Sequence, residues 1–175
     1  MSVMRAALFD RYGPPAVLYA GQVPVPVAGP DRLLVRVRAV TVNGGEVIVR
    51  AGGLPRWFMR GPFPRQTGLD FVGEVVEVGG AVSGHRVGDT VWGLLDEKPD
   101  ENGQFLRSLA EYVAVRPEQV SSAPETLSPA QAARMADDGT LRPLVDRIYP
   151  LAQVAAAHHH LEAGGVRGKV VVTLD

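Results

Sequence analysis

The sequence predicts a mainly β fold, an irregular barrel with a few short helices, and three observations carry that prediction. Glycine and proline number 20 and 14, dispersed between short apolar runs, as turns between short strands require. From Leu33 to Val42 the chain alternates, with Leu33, Val35, Val37 and Ala39 opposite Leu34, Arg36 and Arg38, the period-two pattern of a half-buried strand. Between Gly68 and Gly79 a strand-like run carries glycines at intervals, which mark bulges and the bends of barrel corners.

Taken in order, Met4 to Phe9 is a short first strand closed by Tyr12-Gly13-Pro14-Pro15. Pro24, Pro26 and Pro30 keep the next stretch extended but poor at ladder bonding, an edge or a connector. After the alternating strand, Asn43-Gly44-Gly45 forces a turn, and Glu46 to Arg50 suits a single helical turn. Gly68–Gly79, Val87–Gly93 and Ser108–Val115 supply further strands. Ser128-Pro129-Ala130-Gln131 combines a serine cap, a first-turn proline and a glutamine three residues on, which predicts a helix running to Gly139. Leu151 to Ala163 predicts a second helix stopped by Gly164, and Lys169 to Leu174 a closing strand.

Composition excludes several classes of function. With 18 basic and 19 acidic side chains the net charge is −1, so nothing draws the chain electrostatically to nucleic acid or an anionic membrane. The absence of cysteine rules out disulfides and thiolate metal sites. Met1-Ser2-Val3-Met4-Arg5 lacks a signal peptide's apolar run and no 18-residue apolar stretch follows, which predicts a cytoplasmic protein. Consecutive His158, His159 and His160 point about 100° apart on a helix and cannot converge on one ion.

Seven motifs stand in order along the chain: Val42-Asn43-Gly44-Gly45-Glu46 with Arg50-Ala51-Gly52; Gly68-Leu69-Asp70-Phe71-Val72-Gly73-Glu74-Val75; Val87-Gly88-Asp89-Thr90-Val91; Leu109-Ala110-Glu111-Tyr112-Val113; Leu127 to Ala133; Tyr149-Pro150-Leu151 with Ala157-His158 and Leu161-Glu162; and Gly168-Lys169-Val170-Val171. Each alone is weak; together they cover nearly the whole chain. In this the sequence resembles the medium-chain dehydrogenase/reductase superfamily, and within it the zinc-free quinone oxidoreductase branch. The resemblance implies a GroES-like barrel catalytic domain, interrupted in relatives by a Rossmann domain that binds NADPH. Here residues 1–133 match the opening barrel and 134–175 the returning helix and strand of the same domain. The junction Ala132-Ala133-Arg134-Met135 passes over the place of the dinucleotide-binding domain. No glycine-rich phosphate-binding turn is found; Gly164-Gly165-Val166-Arg167-Gly168-Lys169 has the wrong spacing and reads as a plain turn.

The resemblance also implies a site. Asn43 matches the motif asparagine, a candidate for binding nicotinamide or substrate through its amide, against the alternative of satisfying turn backbone. Glu46 stands where many members have aspartate, and Asp70 is either a catalytic carboxylate or a structural one. Asn43 and Leu69-Asp70 occupy the places of the cysteine and His-Glu ligands of zinc-dependent relatives, so no metal is expected. Ile48 stands where many members have tyrosine; with Trp57, Phe58 and Phe63 it is a candidate lining for a small apolar carbonyl or quinone-like ligand. Arg50 either reaches a cofactor or pairs with an acid inside the barrel. Arg167 and Lys169 lie in a segment that approaches the cofactor in relatives, or are simply solvated. The expected function is the catalytic domain of an NADPH-dependent quinone or enone oxidoreductase that retains no cofactor and transfers no hydride alone. A cofactor-free cyclase or isomerase using Glu46 or Asp70 is one alternative, and a homodimeric assembly module another.

Overall fold

In chain order the strands are β1 (Val3–Phe9), β2 (Leu18–Pro24), β3 (Leu33–Val42), β4 (Arg65–Gln66), β5 (Asp70–Val78), β6 (Thr90–Leu94), β7 (Tyr112–Val115), β8 (Val120–Ser122), β9 (Val145–Pro150) and β10 (Lys169–Thr173). The helices are α1 (Gly44–Ala51) and α2 (Val154–Ala163). These come from a computed structural model that describes residues 2–55, 62–95, 107–123 and 144–174. The predicted helix over 128–139, the 133/134 junction, Trp57 and Phe58 lie outside the described residues.

The strands form two sheets, one ordered β2-β1-β4 and one ordered β8-β6-β5-β3-β10-β9 with β7 also on β3. The mainly β reading with short helices therefore holds, while among the described residues the ladders do not close into one barrel. Residues 109–111 stitch the two sheets together. Ala7 N donates to Leu109 O, Glu111 N to Arg5 O and Val37 N to Glu111 O, all at 2.9–3.0 Å.

β3 is the spine of the larger sheet. Its first half, Leu33–Arg36, lies between β5 and β7; its second half, Ala39–Val42, pairs with β10, and the β5 ladder ends at Ala39. The change of neighbour coincides with a register shift on the β5 side between Val37 and Ala39, the kind of local bend that lets a sheet turn a corner. The predicted alternation holds where Leu33, Val35, Val37 and Ala39 are wholly buried and Arg36 is exposed. Gly73 is needed for close approach, since a Cβ there would collide with the Arg36 carbonyl oxygen across the ladder. Phe9, Leu33, Val35, Phe71, Leu109 and Val172 build the main core, and Leu151, Val154 and Ala157 close it from the α2 side.

Three boundaries differ from expectation. α1 makes two turns rather than one and ends at Gly52, whose φ of 84° suits glycine at a left-handed cap. The run over 151–163 divides into a 3-10 turn, Leu151–Gln153, and then α2. β9 is a strand that alternation did not reveal: only Tyr149 of its six residues is buried.

Candidate functional site

The ends of five strands meet at one end of the larger sheet. Leu94 faces Asp70 across β6 and β5, Val42 faces Val170 across β3 and β10, and Lys169 faces Val145 across β10 and β9. Leu94, Asp70, Thr41, Asn43, Lys169 and Val145 thus form one row, and Asn43 leads directly into α1.

Hydrogen bonds run along this row. Thr41 N donates to Asp70 Oδ1 at 2.7 Å and Thr41 Oγ1 to Asp70 Oδ2. Asn43 Nδ2 donates to Asp70 Oδ2 at 3.1 Å and to Thr41 Oγ1 at 3.0 Å, while Lys169 Nζ donates to Asn43 Oδ1 at 2.9 Å. An ammonium only donates and a carboxylate only accepts, so Lys169 on one side and Asp70 on the other fix the orientation of the amide. Asn43 precedes α1 but makes no side-chain cap bond; its amide is committed to the row instead. Ser108 Oγ donates to the Asp70 carbonyl at 2.6 Å.

Two carboxyl groups face this region in different settings. Burial pushes the Asp70 carboxyl above its ordinary range, opposed by the Thr41 hydroxyl and backbone, the Asn43 amide and the Lys169 charge. Glu46, on the inner face of α1, is 4% exposed. One of its oxygens accepts from Thr67 Oγ1 at 3.1 Å, and the other has no hydrogen-bond partner. Burial, and then the neighbouring Asp70 charge, raise its pKa to about 8, against the pull of Thr67, Asn43 and Arg107. Glu46 therefore holds its proton near neutrality, an unusual state for a carboxyl and one associated with working sites.

The other expected residues are placed as follows. Arg50 is wholly buried, its guanidinium bonded to the Gly13 carbonyl and paired with Glu162 of α2. Of its two expected settings this is the pairing with an acid inside the fold, and a guanidinium enclosed there presents no face to a cofactor. Ile48, at 49% exposure, sits on the open side of α1. Phe63 is half-exposed and packs edge-on to Tyr12 and Phe9, with the Arg65 guanidinium 5.0 Å above its ring, so it belongs to an aromatic cluster separate from the polar row. The Arg167 backbone donates to Asp146 at 3.0 Å, and Arg167 itself lies at the surface. The three histidines diverge as their helical spacing requires. His158 is in the core, His159 is exposed, and His160 bonds Tyr149 Oη and Asp146, each at 2.8 Å. Thr41, Thr67 and Ser108 were absent from the sequence-based site, since only strand register brings them to it.

The same fold recurs in solved oxidoreductase structures. Over 99% of its length the chain superposes on all of a quinone oxidoreductase chain from Coxiella burnetii, with a TM-score of 0.85 at 18% identity. It also superposes over 83% of its length on 44% of the Escherichia coli quinone oxidoreductase solved with NADPH, with a TM-score of 0.60 at 20% identity. The chain belongs to the zinc-binding dehydrogenase family, whose profile matches residues 29–172, and with it to the medium-chain dehydrogenase/reductase superfamily. It is 33% identical over 175 residues to 2-methylene-furan-3-one reductase of Solanum lycopersicum, covering 99% of this chain and 41% of the relative. It is 33% identical over 146 residues to the NADPH-dependent alkenal/one oxidoreductase of Arabidopsis thaliana, covering 79% of this chain and 37% of the relative. The chain thus spans about two fifths of the length of these curated relatives.

The family name implies zinc, and the residues present do not fit it. A catalytic zinc takes three thiolate, imidazole or carboxylate ligands. Here the chain has no cysteine, and no cluster of three His, Asp or Glu side chains occurs among the described residues. An amide and a hydroxyl stand beside Asp70 instead.

Proposed function

We propose that this chain is the substrate-binding, catalytic half of an NADPH-dependent quinone or enone oxidoreductase, built on a GroES-like barrel. The dinucleotide-binding domain is missing at the 133/134 junction, and the chain alone transfers no hydride. The observation that carries this reading is the row Lys169–Asn43–Asp70 at the end of the sheet, in a family member with only a short segment at the place of an inserted dinucleotide-binding domain. Between Ala123 and Leu144 only residues 124–143 intervene, whereas a single βαβ unit takes about 30 residues and a Rossmann domain several such units.

NADPH, when held by such a domain, supplies the hydride. The sequence holds no glycine-rich phosphate-binding motif, and on this reading its own residues act on the substrate side. Asn43, its amide oriented by Lys169 and Asp70, presents a polar edge at the rim. Asp70 and Glu46 are the carboxyl groups that hold or exchange protons as charge develops on a carbonyl oxygen. Lys169 keeps positive charge beside Asn43, and Ile48 offers apolar surface to a small carbonyl or quinone-like ligand.

Incubation of the purified chain with NADPH and either cyclohex-2-enone or a benzoquinone tests this directly. No enzyme-dependent NADPH oxidation is expected, while enone binding is retained and weakened by Asn43→Ala. Turnover of NADPH would overturn the reading.

A cofactor-free isomerase is favoured by one observation, the protonated Glu46 beside Asp70: two carboxyl groups in unlike environments can serve as acid and base. Proton exchange at the α-carbon of an enone without NADPH identifies it. Leu94 and Leu144, 62% and 65% exposed, bracket the row and support homodimerisation as a further reading; a mass that rises with concentration would establish it.

A further inference from the structure

Glu46 borders a small pocket that the row itself does not use. Gln66, Thr67, Leu69 and Arg107 line it with Glu46, and its free volume is about 30 Å³, room for one water-sized group. Gly45 stands at its rim, where a side chain would meet nothing within 4 Å. The unpartnered oxygen of Glu46 is shut off from bulk solvent. A carboxyl so placed is a hydrogen-bond donor lacking an acceptor, and the pocket beside it has the size of one oxygen atom with its hydration shell removed.

We propose that this pocket is an oxygen hole: it receives the carbonyl oxygen of an enone or related enolisable substrate, with the Glu46 O–H and the Gln66 amide as donors and Arg107 as the nearby positive charge. This rests on the carbonyl-substrate reading above. A neutral carboxyl donor strengthens its hydrogen bond as negative charge grows on the acceptor, without charge repulsion, so the hole favours the enolate-like state over the ground-state carbonyl. Burial of the donor magnifies that preference, because no water competes for the developing charge. The proton stays on Glu46, and no bond is made or broken in the hole.

Infrared difference spectroscopy on the full chain tests the proposal without hydride transfer. The probes are cyclohex-2-enone labelled with ¹³C at the carbonyl, and 4-nitrophenol, whose phenolate imitates an enolate oxygen. Wild type at neutral pH is expected to show a protonated-carboxyl band that Glu46→Gln removes. Both probes should shift that band, and the labelled carbonyl should move to lower frequency. Glu46→Leu, which fills the same buried space, should abolish the carbonyl shift and weaken 4-nitrophenol binding about tenfold or more. Gln66→Ala should weaken it less.

The outcomes separate the two claims. If 4-nitrophenol moves the Glu46 band but the enone neither binds nor shifts, the oxygen hole stands and the enone reading fails. If the enone binds with the same carbonyl frequency in wild type and Glu46→Leu, the substrate reading stands and the hole is overturned. If neither probe moves the Glu46 band, the pocket holds only a structural water and the proposal is wrong.

Discussion

Glu46 takes up a proton when the chain folds, and that alone sets a pH dependence of stability. Its pKa rises from 4.5 to about 8 on folding, so the native state binds the proton over a window in which the unfolded chain releases it. Its contribution is full below pH 4.5, declines as the pH rises and levels off above 8, a span on the order of 5 kcal/mol. His158 has the opposite sign. Burial, and then the Arg50 charge, lower its pKa from 6.5 to about 4; its contribution is full above pH 6.5 and falls as the pH drops toward 4, by about 3 kcal/mol. The two slopes oppose one another between pH 4.5 and 6.5, and above 6.5 only that of Glu46 remains. Urea melts at closely spaced pH values should therefore show stability declining from pH 6.5 to 8, and Glu46→Gln should flatten that decline. At this scale the sequence named Asn43, Glu46, Asp70 and Lys169 through motif position. It could not show that Lys169 meets Asn43 across 126 residues, because that contact exists only once the register of β3 and β10 is set.

Between elements, the Arg50–Glu162 pair ties α1 to α2, and so holds the helix that carries Glu46 against the returning segment. Arg50 is wholly enclosed while Glu162 is partly open, so removing the acid strands the more deeply buried charge. Glu162→Gln is expected to cost about 3 kcal/mol in a denaturant melt, and Arg50→Met, which removes that charge as well, distinctly less. A reversed order would show that the Arg50 bond to Gly13, rather than the ion pair, holds the helix. Gly73→Ala should cost more than about 2 kcal/mol, because the added methyl meets backbone of β3 that cannot move without breaking the ladder; a neutral effect would argue against this β3–β5 register. Strands with clear alternation or glycine bulges were legible, β3 and β5 above all. β9 was not, since one buried residue in six leaves no period to read. The stretch holding Pro24, Pro26 and Pro30 reads as an edge or connector; Pro24 ends β2, which among the described residues is an edge strand paired to β1, at a position where a missing N–H is tolerated.

For the whole molecule, the legible part was the mainly β class and the family, because seven short motifs kept their order and spacing. The closed barrel was not recovered: the ladders over the described residues form two sheets joined by the backbone bonds of residues 109–111. Closure depends on long-range pairing that local patterning cannot specify. Function follows from what the chain holds and what it lacks. The proposed function rests on the row of polar groups and the buried Glu46 carboxyl, with only 124–143 between Ala123 and Leu144. The most direct measurement is a calorimetric titration of the purified chain with NADPH, run beside one with cyclohex-2-enone. The account predicts heat of binding for the enone and none for NADPH at micromolar concentration. Micromolar NADPH binding would contradict it, and would mean that this chain alone holds the cofactor.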